Sequence, residues 1–211
     1  MKTTFLTNAL IALSLPFMVS SAPTVVPRST EITAKQITTI APQSSSCANA
    51  PAQGQCATAA QAAKHINNSF KTYKVTNAAE QAALISLMAL ESGQFKYNKN
   101  QGGNPGQGTR NMQSAAFNTK YASSLSGLSS KLSGVSSDPN QVLELLLSNE
   151  DYDFGSAAWF LTTQCSKSVR SSLQAGTEAG WEQYITGCVG TTVTSDRKQF
   201  WQRAMKALGV N

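Results

Sequence analysis

The chain has 211 residues, enough for one domain with a sizeable core. Hydrophobic residues make up 41% and charged residues only 13%, which excludes a coiled coil, a charged disordered tail and a surface built on ion-pair networks. The net charge of +6 is scattered, with no run of three basic residues, which speaks against nucleic-acid binding. It suits an anionic partner such as a bacterial wall, or serves solubility alone.

Residues 1–22 read as a secretory signal. Lys2 gives the positive start, residues 9–19 a short apolar run, and Ser20-Ser21-Ala22 the small residues at which cleavage is expected. The run is too short to span a bilayer, so an exported protein without a membrane partner is expected. Residues 23–46 are rich in Ser, Thr and Pro with little periodicity, and are predicted to form a flexible leader. The folded domain is then residues 47–211. Asn67-Asn68-Ser69 is a sequon, which makes Asn67 a candidate glycan site.

Within that domain the pattern is helix after helix. Residues 57–73 place Ala63, Ile66, Phe70 and Tyr73 at helical spacing. Asn77-Ala78-Ala79-Glu80 resembles a capping box and opens a helix to Glu91, which Ser92-Gly93 ends. Residues 95–110, with four Gly, one Pro and three Asn, form a long loop. A helix over 114–132 follows, then one opened by Asp138-Pro139. Further helices are predicted over 156–163, 166–175 and 177–188, with a last one capped by Thr194 or Ser195. Strand-like alternation is nearly absent, Thr191-Thr192-Val193 being the best fragment. The class is mainly α.

Four cysteines in an exported chain imply two disulfides. Three pairings exist; Cys47–Cys56 and Cys165–Cys188 are favoured because each closes a local loop. There is no Cys-x-x-Cys, and His65 is the only histidine. A zinc site, a Ser-His-Asp triad and a Cys-His dyad all lack parts, so no metal and no cofactor is expected. Any chemistry falls to carboxylates, amides, hydroxyls, Arg or Lys. His65 reads as a structural histidine, and Trp159, Trp181 and Trp201 mostly as core.

Glu91 stands out. It continues the apolar stripe of Leu84, Leu87 and Met88, at a helix C-terminus where the dipole disfavours negative charge. Partial burial and the dipole both favour the protonated form, which a general acid needs. The loop that follows offers Tyr97, Asn98, Arg110, Asn111 and Gln113, a set of polar groups suited to sugar hydroxyls and acetamides. The plainer alternative is that Glu91 pairs with Arg110 or Lys96 and pins the loop.

The stretch Ala89-Leu90-Glu91-Ser92-Gly93, then Tyr97-Asn98, then Gly106-Gln107-Gly108-Thr109-Arg110-Asn111-Met112-Gln113 resembles the lysozyme-like superfamily. That group includes goose-type lysozymes, lytic transglycosylases and relatives of plant chitinases. A longer stretch, through residues 156–161 to the C-terminus, resembles an uncharacterised group of secreted fungal proteins. The superfamily resemblance covers roughly 25 residues. It implies a monomeric, lysozyme-like multi-helix domain that cleaves the β-1,4 link of an N-acetylated amino-sugar polymer. The implied substrate is peptidoglycan first (a muramidase), chitin or chitosan second. By position Glu91 becomes the general acid, Asn111 and Gln113 line the groove floor, and Tyr97 borders the sugar site. Arg110 is then a candidate for a peptidoglycan carboxylate, and Tyr152 a candidate sugar platform.

The chain departs from the family pattern in having no Asp or Glu between Glu91 and Gln113. An inverting hydrolase needs a second carboxylate about 6.5–9.5 Å from the acid. The acidic cluster Glu150-Asp151-Tyr152-Asp153 offers Asp153 and Glu150, unless it is simply a solvated loop. Lytic transglycosylases manage with one glutamate. A catalytically silent wall-binding or effector protein on the same scaffold is the alternative from another class.

Overall fold

The computed structural model describes residues 31–210, so the expected signal segment and residues 23–30 lie outside the described part. The described chain is mainly helical. The elements are α1 (Ala34–Ile40), α2 (Ala59–Thr72), α3 (Ala78–Glu91), α4 (Ala115–Ser124), α5 (Ser129–Leu132), α6 (Pro139–Leu147), α7 (Glu150–Thr163), α8 (Lys167–Gln174), α9 (Glu178–Tyr184) and α10 (Ser195–Ala207). Both favoured disulfides are present, Cys47–Cys56 and Cys165–Cys188.

Local chemistry starts these helices where the sequence shows a cap. Thr33 and Thr58 each accept from the backbone N–H three residues on, and Gln36 and Gln61 accept in return from the cap backbone. Asn77 caps α3 by accepting from Ala79 N and Glu80 N. Glu80 does not complete that box; its carboxylate pairs with Arg170 instead. Asp138 caps α6 with Pro139 in the first turn. Thr194 caps α10.

α3 is buried on every side from Ala78 to Ala89, which makes it the central helix. Its alanines let neighbours approach closely. α10 packs along it, α8 crosses near its start, and α2 lies against α7. Trp181 of α9 stacks on Trp201 of α10, with ring centroids 4.9 Å apart. A second apolar cluster joins Tyr121, Val142, Leu146, Trp159 and Phe160 from α4, α6 and α7. α7 serves both clusters, since Phe154, Ala157 and Leu161 face the first.

Three expectations are corrected. Residues 31–46 are not a flexible leader: α1 and the 3-10 turn Pro42–Ser45 are ordered, and Ile37 and Ile40 are fully buried against the main core. Two isoleucines three apart, capped by Thr33, outweigh the Ser/Thr-rich composition. The acidic cluster is not a solvated loop but the first turn of α7, capped by Asn149, where its charges suit the helix dipole. Asn67 lies within α2, and its side-chain amide holds the backbone of Ile32 at both N and O, 2.8 Å each. The sequon asparagine thus anchors α1 rather than standing on an exposed loop.

The helix predicted over 114–132 is broken at Leu125 into α4, a 3-10 turn and α5. The one predicted over 177–188 ends as a π-helical turn, Ile185–Val189. Thr191-Thr192-Val193 forms no strand; the pairing found among the described residues is a pair of isolated bridges, Lys99 to Gly108 and Gly108 to Gln113.

Candidate functional site

The loop after α3 folds back on itself through these bridges. Thr109 N donates to Asn98 O at 2.9 Å, Asn100 N to Gln107 O at 3.0 Å, and Gly108 N to Gln113 O at 3.2 Å. Gly108 has to be glycine: a Cβ there would lie 2.6 Å from Asn98 O and 2.8 Å from Leu143. Folded this way, the loop carries residues 111–113 beside the end of α3.

A groove of about 480 Å³ results. Its walls include Glu91 from α3, Asn111 and Gln113 from the loop, Phe117 from α4, Phe160 from α7, and Thr191 and Arg197 from the C-terminal segment. The sequence-predicted trio of Glu91, Asn111 and Gln113 is therefore brought together. The amides are held in fixed orientation. Asn111 Oδ1 accepts from Thr109 Oγ1 at 2.9 Å and from Ser156 Oγ at 2.7 Å. Gln113 Nε2 donates to Asn118 Oδ1 at 2.7 Å, and Asn118 Nδ2 donates to Gly106 O at 2.8 Å. This chain of bonds leaves little freedom to the groove floor.

Glu91 is partly exposed, its side chain at 23%, and lies 2.6 Å from Arg197 Nη1. The pairing partner is thus neither Arg110 nor Lys96, both weighed from the sequence. Lys96 reaches instead to the carbonyl of Ser46. Arg197 Nη1 is close enough for an ion pair yet lies off the line of a hydrogen bond, so its N–H is left without an acceptor.

The other predicted site residues lie elsewhere. Arg110 is buried, with 2% exposure. Its Nε lies 2.8 Å from Asp153 Oδ2, its Nη1 donates to the carbonyls of Phe95 and Tyr97, and its guanidinium covers the Phe154 ring. Asn98 is buried beside the same carboxylate, donating to Asp153 Oδ2 at 3.3 Å. Arg110 therefore bolts the loop to α7 and does not reach a ligand. Burial pushes the Asp153 carboxyl above its ordinary range, against the pull of the Arg110 charge and the Asn98 hydrogen bond.

Asp153 and Glu150, the candidate second carboxylates, do not line the groove. Glu150 pairs with His65 Nε2 at 2.7 Å, and Asp151 with His65 Nδ1 at 2.6 Å. Burial raises the Asp151 carboxyl, but hydrogen bonds from Asn68 and His65 outweigh it and hold the group below its ordinary value. His65 is structural, stacked on Phe154 with centroids 5.9 Å apart. Tyr97 also lies outside the groove wall, its ring packed against Gly93. Tyr152 lines a separate hollow with Tyr73, Tyr121 and Asn68.

Sequence reasoning missed Arg197, Thr191, Ser156 and Asn118. Arg197 and Thr191 come from a segment about 100 residues from Glu91, and no local spacing connects them.

The fold and groove define a disulfide-bonded, mainly helical protein with one carboxylate and one guanidinium paired in the wall of a cleft. No helix of the described residues is long and apolar enough to cross a membrane. No family model matches the chain, and no solved structure matches it. Over 157 residues, 71% of its length, it is 41% identical to a Fusarium oxysporum (strain Fo5176) protein described as a bifunctional dioxygenase (DOX)-epoxy alcohol synthase (EAS). The chain spans only 12% of that relative.

Proposed function

We propose that the chain is a secreted lysozyme-like protein that binds an N-acetylated amino-sugar polymer, peptidoglycan first, in the groove of Glu91, and cleaves its β-1,4 link. The observation that carries this reading is the convergence of Glu91, Asn111 and Gln113 on one polar groove. Glu91 is the general acid that protonates the departing glycosidic oxygen. Glu91 is the one carboxylate lining the groove among the described residues, which favours the single-glutamate route. In that route a muramyl hydroxyl attacks the anomeric carbon as the glycosidic C–O bond breaks. Its proton returns to Glu91, and an anhydro-sugar is left.

The oxygen chemistry in the relative's name is not carried over. The chain's one imidazole sits between Glu150 and Asp151, and its four cysteines form two disulfides, so the imidazole and thiolate donors that commonly bind iron are committed. With 12% of that relative's length involved, the matched stretch is read as a module separate from its catalysis.

A second reading has its own support. The Glu91 carboxylate is engaged by Arg197 at 2.6 Å, and a carboxylate committed to an internal partner favours a catalytically silent wall-binding protein.

The test is mass spectrometry of fragments released from purified peptidoglycan. Wild type is expected to release anhydro-muramyl products, and Glu91→Gln to lose at least about 100-fold in rate while folding normally, the scale of an acid–base contribution. Reducing-end products would instead demand a water-activating group. Retention on peptidoglycan without any product would replace the enzyme by the silent binder, and turnover of chitin alone would change the substrate.

A further inference from the structure

Arg197 has the chemistry that the sequence reading gave to Arg110. Arg197 lines a small hollow with Leu87, Leu90, Trp181 and Ile185 on one side and the groove on the other. Its side chain is 15% exposed. Glu91 and Arg197 are the charged residues that line the groove; the polar remainder is neutral amides and hydroxyls. The guanidinium is poorly satisfied. Nη1 is buried against Glu91 Oε1 at 2.6 Å without an aligned hydrogen bond, and Nη2 reaches Thr191 Oγ1 only at 3.5 Å. A planar guanidinium at the cleft wall, weakly hydrogen-bonded and paired only with Glu91, is suited to exchange that partner for a ligand carboxylate held bidentately. A neutral polymer offers it only hydroxyl and acetamide oxygens, with no counter-charge.

We propose that Arg197 is the specificity residue of the groove, binding a carboxylate carried by the amino-sugar polymer. That carboxylate takes the place of Glu91 on the guanidinium and frees Glu91 to face the glycosidic oxygen. The inference rests on the glycan reading of the groove and adds to it the ligand class, a carboxylate-bearing amino-sugar chain. It also reconciles the ion pair of the unliganded protein with an acid role in the complex. Arg197 is a positioning and binding residue; it takes no part in proton transfer.

The test is calorimetric binding of two soluble tetrasaccharides. One alternates N-acetylglucosamine with N-acetylmuramic acid and carries free lactyl carboxylates; the other is neutral chitotetraose. The proteins are wild type, Arg197→Gln, Arg197→Lys and Glu91→Gln, each with a thermal melt to verify folding. Wild type should prefer the carboxylated ligand by about tenfold or more, the scale of one charge-assisted bidentate contact. Arg197→Gln should erase the preference, read as the ratio of the two affinities within the same variant, and Arg197→Lys should keep part of it. Glu91→Gln should tighten the carboxylated ligand, because the competing internal carboxylate is gone. A preference that survives in Arg197→Gln, or, if that variant does not fold, one undiminished in Arg197→Lys, overturns the assignment. So does equal binding of both ligands by wild type. Failure of wild type to bind either ligand defeats the glycan reading and this inference with it.

Discussion

Arg110 and Asp153 show how one pair of residues can mislead a reading based on types alone. Each is a reasonable catalytic candidate in isolation. In the fold they neutralise each other inside the protein, where neither could be charged alone at modest cost. Arg110→Met leaves Asp153 buried without its counter-charge, and the expected loss is about 3–5 kcal/mol in urea unfolding. The pH dependence follows from the sign of the shift. Burial already pushes the Asp153 carboxyl above its unfolded range, and removing Arg110 pushes it further in the same direction. A raised carboxyl favours the folded state below the unfolded range and loses that advantage as pH rises through the folded value. The deficit of Arg110→Met should therefore be smallest in acid and grow toward neutral pH. Adding Asp153→Asn should recover most of the loss at pH 7. A deficit independent of pH would mean that the pair is not what the substitution breaks.

Among the elements, the helices were legible wherever a cap and an apolar period coincide. Asn77 with the run to Glu91, and Asp138-Pro139 with the leucines after it, fix α3 and α6 from sequence alone. α1 was illegible because its evidence is only Ile37 and Ile40 within a polar, Thr-rich stretch, and a seven-residue helix gives only about two turns of periodicity. Its order comes from tertiary packing on α2 and α10, and from the Asn67 clamp on Ile32. Ile37→Ala, at a fully buried position, should cost about 2–5 kcal/mol and lower the melting temperature by several degrees. A mobile leader would show no change, so the melt decides between the two descriptions. The π-helical turn Ile185–Val189 was equally unreadable. It contains Cys188, and the Cys165 bridge ties it to the end of α7, which sets the height of the groove wall at Val189 and Thr191.

At the scale of the molecule, the groove lies between the two apolar clusters: Leu87 belongs to one, Phe160 to the other, and Phe117 packs on the latter. Periodicity reveals which face of a helix is buried but not which helix covers it. That is why Glu91, Asn111 and Gln113 could be proposed together from a local motif, whereas Arg197, brought in by the packing of α10 on α3, could not. The same long-range pairing shapes the surface charge. Three acidic groups are taken up by arginines: Glu80 on Arg170, Glu91 on Arg197 and Asp153 on Arg110. Exposed Lys35, Lys64, Lys71, Lys120, Lys131 and Lys167 form no ion pair with a described residue. These exposed lysines present scattered positive charge outward. Such a surface attracts an anionic polymer over a distance set by the Debye length, about 10 Å at 0.1 M salt and about 3 Å at 1 M. Retention on insoluble peptidoglycan should accordingly fall steeply as salt is raised across that range, while retention on neutral chitin should hardly change. The two curves separate the two contributions, since the Arg197 contact in the groove is sheltered from screening and the lysines are not. Peptidoglycan binding that ignores salt would show that the positive surface serves solubility alone, leaving the groove to do all the recognition.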